Sequence, residues 1–271
     1  ITFFKDQVVL TDLPSQEAIC FESSGTTGQI PSRHWVSDPD FYRKASQAIF
    51  EQQYGALTNF HFLALLPSYL QRGNSSLVFM MDHFIRESGS TLSGFFLDDW
   101  PALQQAIDLL HADQQRQGVL IGVTYALLDF AEAHPQDLSH LLVMETGGMK
   151  GRRREMIRSE VHQVLQEAFR LPTVHSEYGM TELLSQAYSQ ADEIFTPPVW
   201  MRVLLRDAYD PLSLSPRKTG AINLIDLANV DSCAFIATQD IGEMVNDNQF
   251  KVLGRLDNSD LRGCNLLLSG G

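Results

Sequence analysis

The chain alternates between short apolar runs and segments in which apolar residues recur every three or four positions. Gly118–Tyr125, GVLIGVTY, is apolar and β-branched enough to predict a buried strand, and Ala126–His134 continues with helical spacing. His140–Glu145, HLLVME, predicts a second strand that ends at Gly147-Gly148. Between Arg152 and Arg170 the apolar positions Met156, Ile157, Val161, Val164, Leu165 and Phe169 fall on one face of a helix. Strand-then-helix alternation predicts an α/β sheet with parallel pairing. From about Val199 the texture changes. WMRVLLRD, GAINLIDL, CAFIATQD and FKVLGRL are short strand-like runs separated by Pro, Gly, Asp and Asn, with no long helical pattern between them. They predict an antiparallel subregion, a small barrel or a distorted sheet. Residues 1–198 are thus expected to form an α/β core and residues 199–271 a β-rich subregion, the two integrated in one domain. Pro211–Lys218, PLSLSPRK, reads as an exposed loop.

With 271 residues, 44% of them hydrophobic, there is material for a sizeable core. The net charge of -13 argues against general DNA or RNA binding, which needs lysine and arginine against phosphates, but not against one bound nucleotide. The three cysteines, Cys20, Cys233 and Cys264, are too scattered for a disulfide framework or a structural zinc site. The expectation is a reducing, cytoplasmic setting. No apolar run approaches the roughly 18 residues of a membrane span, and the first residues, ITFFKDQVVL, lack the features of a signal peptide. The missing initial Met and the abrupt ending suggest that residues are absent from one or both ends.

The chemistry concentrates in three places. FESSGTTGQIPSRH, Phe21 to His34, packs hydroxyls and glycines into one loop. Glycines let successive N–H groups turn toward one point, and such concavities bind anions; a flexible surface loop is the plainer alternative. The loop is neither G-x-x-x-x-G-K-S/T nor GxGxxG, and a G-x-S-x-G elbow is absent. HSEYGMTE, His175 to Glu182, follows a strand at what reads as a strand-to-helix junction. It offers an aromatic ring, a hydroxyl and a carboxylate suited to Mg²⁺, although a glutamate near a helix start is also favoured by the dipole. Thr238-Gln239-Asp240, followed by Gly254-Arg255-Leu256-Asp257, places a carboxylate and a guanidinium where a ribose or ordinary turns would use them.

Taken together and in this order, SSGTTG, YGMTE, TQD and GRLDNSDLRG resemble the motifs of adenylate-forming enzymes, the superfamily of acyl-CoA synthetases, luciferases and peptide-synthetase adenylation domains. FESSGTTGQIPSRH, LLPSYLQRGNSSLVFMM, ETGGMKGRRREMIRSEVH, HSEYGMTELLSQAYS and GRLDNSDLRGCNLL resemble more closely the acyl-protein synthetase (LuxE-type) branch. The resemblance implies the large N-terminal part of the superfamily fold, with mixed and parallel sheets and helices, and ATP and Mg²⁺ as cofactors. It implies activation of a fatty or other carboxylic acid as acyl adenylate, thioester transfer to a protein cysteine, and delivery to an acyl reductase partner. By residue, it implies that Ser23, Ser24, Thr26 and Thr27 contact phosphates, with Gly25 and Gly28 shaping the loop. Tyr178 stacks on adenine, with Gly179 and Met180 in the same turn. Thr181 contacts the α-phosphate, Glu182 holds the metal, and Asp240 with Arg255 holds the ribose. Cys264 stands at the acceptor position. Gly147 and Gly148 line the acyl or adenine pocket.

Departures temper this. Ser32 and Arg33 stand where many members have a phosphate-loop lysine, and Arg262 replaces a frequent lysine in the last motif. Only eight residues follow Gly263, so a C-terminal lid domain with its lysine is not expected. A carboxylate–CoA ligase and a non-catalytic nucleotide-binding module remain as alternatives. Phe60-His61-Phe62 and Leu65-Leu66 read as an apolar helical stretch, core or acyl channel. Lys150, Arg152, Arg153 and Arg154 read as the solvated first turn of the next helix, at odds with its dipole, or as a site for phosphate or an acidic partner.

Overall fold

The computed structural model describes residues 1–12, 17–23, 30–67, 73–111, 113, 115–148, 153–154, 156–208, 210 and 212–256. The chain opens with a short helix, α1 (Phe3–Asp6), and an antiparallel pair, β1 (Ile19–Glu22) and β2 (Arg33–Val36). There follow α2 (Pro39–Tyr54), β3 (Phe60–Leu65), α3 (Ser76–Ser88), β4 (Gly94–Phe95), α4 (Trp100–Leu110), β5 (Gln117–Val123), α5 (Thr124–Ala133), β6 (Leu141–Thr146), α6 (Arg158–Phe169) and β7 (His175–Tyr178). Next come β8 (Ala187–Ser189), β9 (Phe195–Thr196), β10 (Met201–Arg206), β11 (Thr219–Asp226), β12 (Phe235–Asn246) and β13 (Gln249–Arg255).

Eleven strands form one sheet, in the order β10-β11-β12-β13-β9-β8-β7-β6-β5-β3-β4. The pairs β3–β4, β3–β5, β5–β6 and β6–β7 are parallel, and every pair from β7–β8 through β9 and β13 to β10 is antiparallel. The expected α/β architecture is present. The late strands are antiparallel, as expected, and they continue the same sheet rather than closing a small barrel.

Local chemistry explains the helices. Asp38 accepts bonds from the backbone N–H groups of Asp40 and Phe41, and Pro39 opens α2 where a missing N–H costs nothing. Asp99 caps α4 in the same way, and α3 ends at Gly89 in the left-handed conformation (φ 59°). The parallel strands β3, β5, β6 and β7 are buried on both faces, as helices packed on such a sheet require.

Three expectations are corrected. The stretch at Phe60 is not helical: it is β3, between β4 and β5, with all six residues buried. A short, wholly apolar run has no periodicity to separate strand from helix. No helix follows YGMTE; the chain turns within Thr181 and Glu182 and returns as β8. Arg153 and Arg154 do not open a helix either, because α6 starts at Arg158; Lys150 and Arg152 lie outside the described residues. Arg153 instead pairs with Asp129 and Glu132 on α5, at 2.5 and 2.7 Å.

The core divides in two. The larger cluster packs the parallel strands against the helices; the smaller joins Phe4, Tyr178 and Leu183 to the inner residues of β9–β13, with Phe195 and Phe250 at its centre. The switch from parallel to antiparallel pairing occurs at β7, between them.

Candidate active site

Ligands of open α/β sheets bind outside the carboxyl ends of the parallel strands. Here β6 ends at Thr146 and β7 at Tyr178, running parallel, so Gly147-Gly148 and Gly179-Met180 leave the sheet side by side. Gly147 has φ 78°, which strongly favours glycine, and a β-carbon on Gly148 would meet open space.

Tyr178 donates its hydroxyl to Oδ2 of Asp240 at 2.8 Å. Asp240 faces Arg255 across β12–β13, with Nε 3.7 Å from Oδ1. Burial raises the pKa of Asp240, and the bond from Tyr178 and the charges of Arg255, Arg158 and Arg206 pull it back. Burial, with the Asp240 charge, raises the Tyr178 phenol far above its ordinary value, so it remains a donor. Its ring is 6% exposed and packs edge-on to Phe250 and tilted to Phe195. The fold thus unites Tyr178, Asp240 and Arg255 and directs the hydroxyl of Tyr178 at the ribose-motif carboxylate.

The turn after Tyr178 is pinned from three sides. Asn229 donates to the carbonyl of Glu182 (2.7 Å) and accepts from the N–H of Leu184 (2.9 Å). Buried Asp226 accepts from the backbone and hydroxyl of Ser185 at 3.0 and 2.7 Å. His34, just past the glycine-rich loop, lies 2.9 Å from the carbonyl of Thr181 and 2.8 Å from the hydroxyl of Ser232. Burial lowers the pKa of His34 to about 4, so the ring is neutral. The carbonyl can only accept; Nδ1–H therefore donates to Thr181 and Nε2 accepts from Ser232. Ser23 closes the neck of the loop: its hydroxyl accepts from the N–H of Ser32 at 2.8 Å. Ser24, Gly25, Thr26, Thr27, Gly28 and Cys264 lie outside the described residues.

Two buried carboxylates flank the site in opposite environments. Glu145 stands opposite Ser176 and Thr146 opposite Glu177, so alternation puts each pair on a different face. Glu145 meets α6, where Arg158 Nε lies 2.7 Å away. Burial would raise its pKa, but the Arg158 charge and bonds from His162 and Ser176 outweigh it and hold the carboxyl at about 2. Glu177 meets α2. Burial raises it to about 7, although the Thr146 hydroxyl donates to it. Arg158 also lies over the Phe195 ring, 4.9 Å from its centroid.

No protein-family model and no curated protein matches the sequence. Solved structures do. ATP-bound MatB from Rhodopseudomonas palustris aligns with a TM-score of 0.61 at 18% identity, over 87% of this chain and 47% of its own. The O-succinylbenzoate coenzyme A synthetase MenE from Bacillus subtilis, in complex with AMP, aligns with 0.55 at 17%, over 89% and 49%. An amide bond synthetase from Marinactinospora thermotolerans aligns with 0.57 at 20%, over 86% and 48%. The fold is that of the large N-terminal part of adenylate-forming enzymes. The chain spans about half the length of these solved chains.

Glu182, the carboxylate to which the sequence resemblance gives Mg²⁺, is 4% exposed. Among the described residues no three His, Cys, Asp or Glu side chains converge as a metal cage. Mg²⁺ does not require such a cage: it commonly takes one or two carboxylates together with substrate phosphates and waters. His34, Asn229, Asp226, Arg158, Glu145 and Glu177 were not singled out from sequence. Only Glu145, at the end of the apolar run HLLVME, carries a sequence sign of burial; Glu177 lies between Ser176 and Tyr178 and carries none.

Proposed function

We propose that the protein activates a carboxylic acid, a fatty acid by its sequence resemblance, as an acyl adenylate, and passes the acyl group to the thiol of Cys264 for an acyl reductase partner. The observation that carries the reading is the Tyr178–Asp240 bond, which joins the YGMTE turn to the TQD strand. Solved chains of the same fold are described with ATP, with AMP and with a keto acyl adenylate, which supports nucleotide chemistry here.

Bound ATP supplies a good leaving group for a carboxylate that is otherwise a poor electrophile, and Mg²⁺ spreads the developing phosphate charge. The residues do the positioning. Asp240, aligned by Tyr178 and backed by Arg255, receives the ribose hydroxyls. The Thr181 hydroxyl, on a turn fixed by His34 and Asn229, meets the α-phosphate. Ser23, Ser24, Thr26 and Thr27 meet the outer phosphates. Preorganised donors of this kind need no rearrangement as charge develops. The Cys264 thiolate then attacks the acyl carbonyl, and AMP departs with the bonding pair.

The test is intact-protein mass after incubation with ATP, Mg²⁺ and mixed fatty acids, beside Cys264→Ser, with pyrophosphate release read in parallel. An ATP-dependent acyl increment, labile to hydroxylamine and absent from the variant, is expected. Pyrophosphate release that requires coenzyme A and persists in Cys264→Ser would make the protein a CoA ligase. Nucleotide binding with no pyrophosphate release would make it a binding module.

A further inference from the structure

One row of polar side chains beside the strand ends has no part in the nucleotide chemistry above. Thr146, Glu177 and Tyr188 stand side by side on β6, β7 and β8, paired in register as Thr146↔Glu177 and Glu177↔Tyr188. Residues paired across neighbouring strands share a face, so the three form a single line beneath α2. All three are at most 4% exposed. Gln186 joins them, its Cγ beside the same point of Gly179 that the Glu177 carboxylate touches.

The row has spare hydrogen-bonding capacity. The side-chain oxygen of Gln186 and the hydroxyl of Tyr188 are fully enclosed and have no hydrogen-bond partner among the described residues. The Gln186 amide nitrogen reaches only the hydroxyl of Tyr42 and the carbonyl of Leu184, both at 3.5 Å. Buried polar groups left in this state are costly, and in native proteins they are few. Three of the groups can accept a hydrogen bond: a carboxyl oxygen of Glu177, whether or not the group is protonated, an amide oxygen and a phenol oxygen. They ask for a donor.

The row also lies near the carboxyl ends of β6 and β7, the side on which open α/β sheets bind their ligands. The Glu177 carboxylate rises along its own strand to the backbone of Gly179, so that a β-carbon there would come within 2.3 Å of Oε1. Gly147 ends the neighbouring strand. Gly179, against the carboxylate, and Gly147, past the end of the neighbouring strand, thus leave this edge of the sheet without side chains.

We propose that the acid activated at this site carries a hydroxyl or amino group within a few carbons of its carboxyl, and that Glu177, Gln186 and Tyr188 receive that donor. The proposal rests on the acid-activating reading above and names the substrate class within it. An unsubstituted acyl chain would bring only methylenes against these groups and leave the Gln186 oxygen and the Tyr188 hydroxyl without a partner. A site built to bond a substrate donor rejects the analogue that lacks it far more strongly than an apolar pocket rejects an extra methylene.

The experiment is ATP–pyrophosphate exchange on the full chain with matched acids: decanoate against its 2-hydroxy, 3-hydroxy and 2-amino derivatives, propionate against lactate and alanine, and benzoate against salicylate and anthranilate. In at least one set the donor-bearing acid is expected to exceed its unsubstituted parent by about 100-fold or more in kcat/KM. The hydroxy and amino arms tell which donor is used. Glu177→Gln is expected to cut that ratio at least about tenfold, and Tyr188→Phe to lower it as well; the wild-type ratio stands on its own should either variant fail to fold. Exchange in which unsubstituted acids match or exceed their derivatives in every set would overturn this proposal while leaving acid activation intact. Exchange with none of the acids would remove both.

Discussion

The hydroxyl of Tyr178 lies 2.8 Å from the carboxylate of Asp240, although 62 positions separate them in the chain. Tyr178 ends the last parallel strand and Asp240 lies within an antiparallel one, so this bond ties the two halves of the sheet together at the candidate site. Tyr178→Phe keeps the ring and removes the bond. ATP affinity measured by calorimetry is expected to fall several-fold, and stability in urea by about 1–2 kcal/mol, the cost of a carboxylate losing a buried donor. Unchanged ATP affinity would detach this pair from nucleotide binding.

Gly179→Ala would drive a methyl group to 2.3 Å from the Glu177 carboxylate. That carboxylate is buried and bonded to Thr146, so it cannot simply swing into solvent. A loss of about 1–3 kcal/mol is expected, the usual cost of overpacking. In a Glu177→Ala background the same substitution is expected to cost much less, because the clashing atoms are gone. Equal costs in the two backgrounds of a double-mutant cycle would refute the contact.

Arg158 is the close positive partner of a carboxylate that is only 2% exposed, Glu145. Arg158→Met leaves that charge buried, with an expected cost of about 3–5 kcal/mol in equilibrium unfolding. Adding Glu145→Gln to the same chain removes the unpaired charge and is expected to recover part of the loss. No recovery would mean that the arginine acts through its packing on Phe195.

Glu177 and His34 pull stability in opposite directions with pH. Glu177 keeps its proton in the folded protein up to about pH 7, against an ordinary value of 4.5. Between these values the folded state holds the extra proton, and stability falls as pH rises. His34 takes up a proton only near pH 4 when folded, against 6.5 ordinarily. There the unfolded state holds the extra proton, and stability falls as pH drops. Between about pH 4.5 and 6.5 the two contributions oppose each other. Glu177→Gln removes one of them. Its loss of stability on acidification through that window is expected to be steeper than that of the wild type by about 1.4 kcal/mol per pH unit. At pH 8 the variant is expected to be the more stable, by on the order of 3 kcal/mol. Parallel curves from urea titrations across the range would contradict this.

The order of elements was legible in the sequence. Apolar runs at Gly118, His140 and Met201 gave strands close to their observed bounds, and the helical spacing after Arg152 gave a helix whose end at Phe169 was legible and whose start, at Arg158, was not, because burial leaves a periodic trace only where a face is packed. The motif residues Tyr178, Asp240 and Arg255 could be named for the same site, and Gly147 and Gly148 for its rim. Tertiary structure alone decided which of their atoms meet. It directed the Tyr178 hydroxyl at Asp240, turned the chain after Glu182 into a strand instead of a helix, and brought His34 and Asn229 to pin that turn. It also gave two glutamates at the ends of adjacent strands opposite characters. One registers with Ser176 and pairs with an arginine; the other registers with Thr146 and Tyr188 and forms no ion pair among the described residues. A strand's face is set by its partner's register, and the composition of the strand itself carries no record of it.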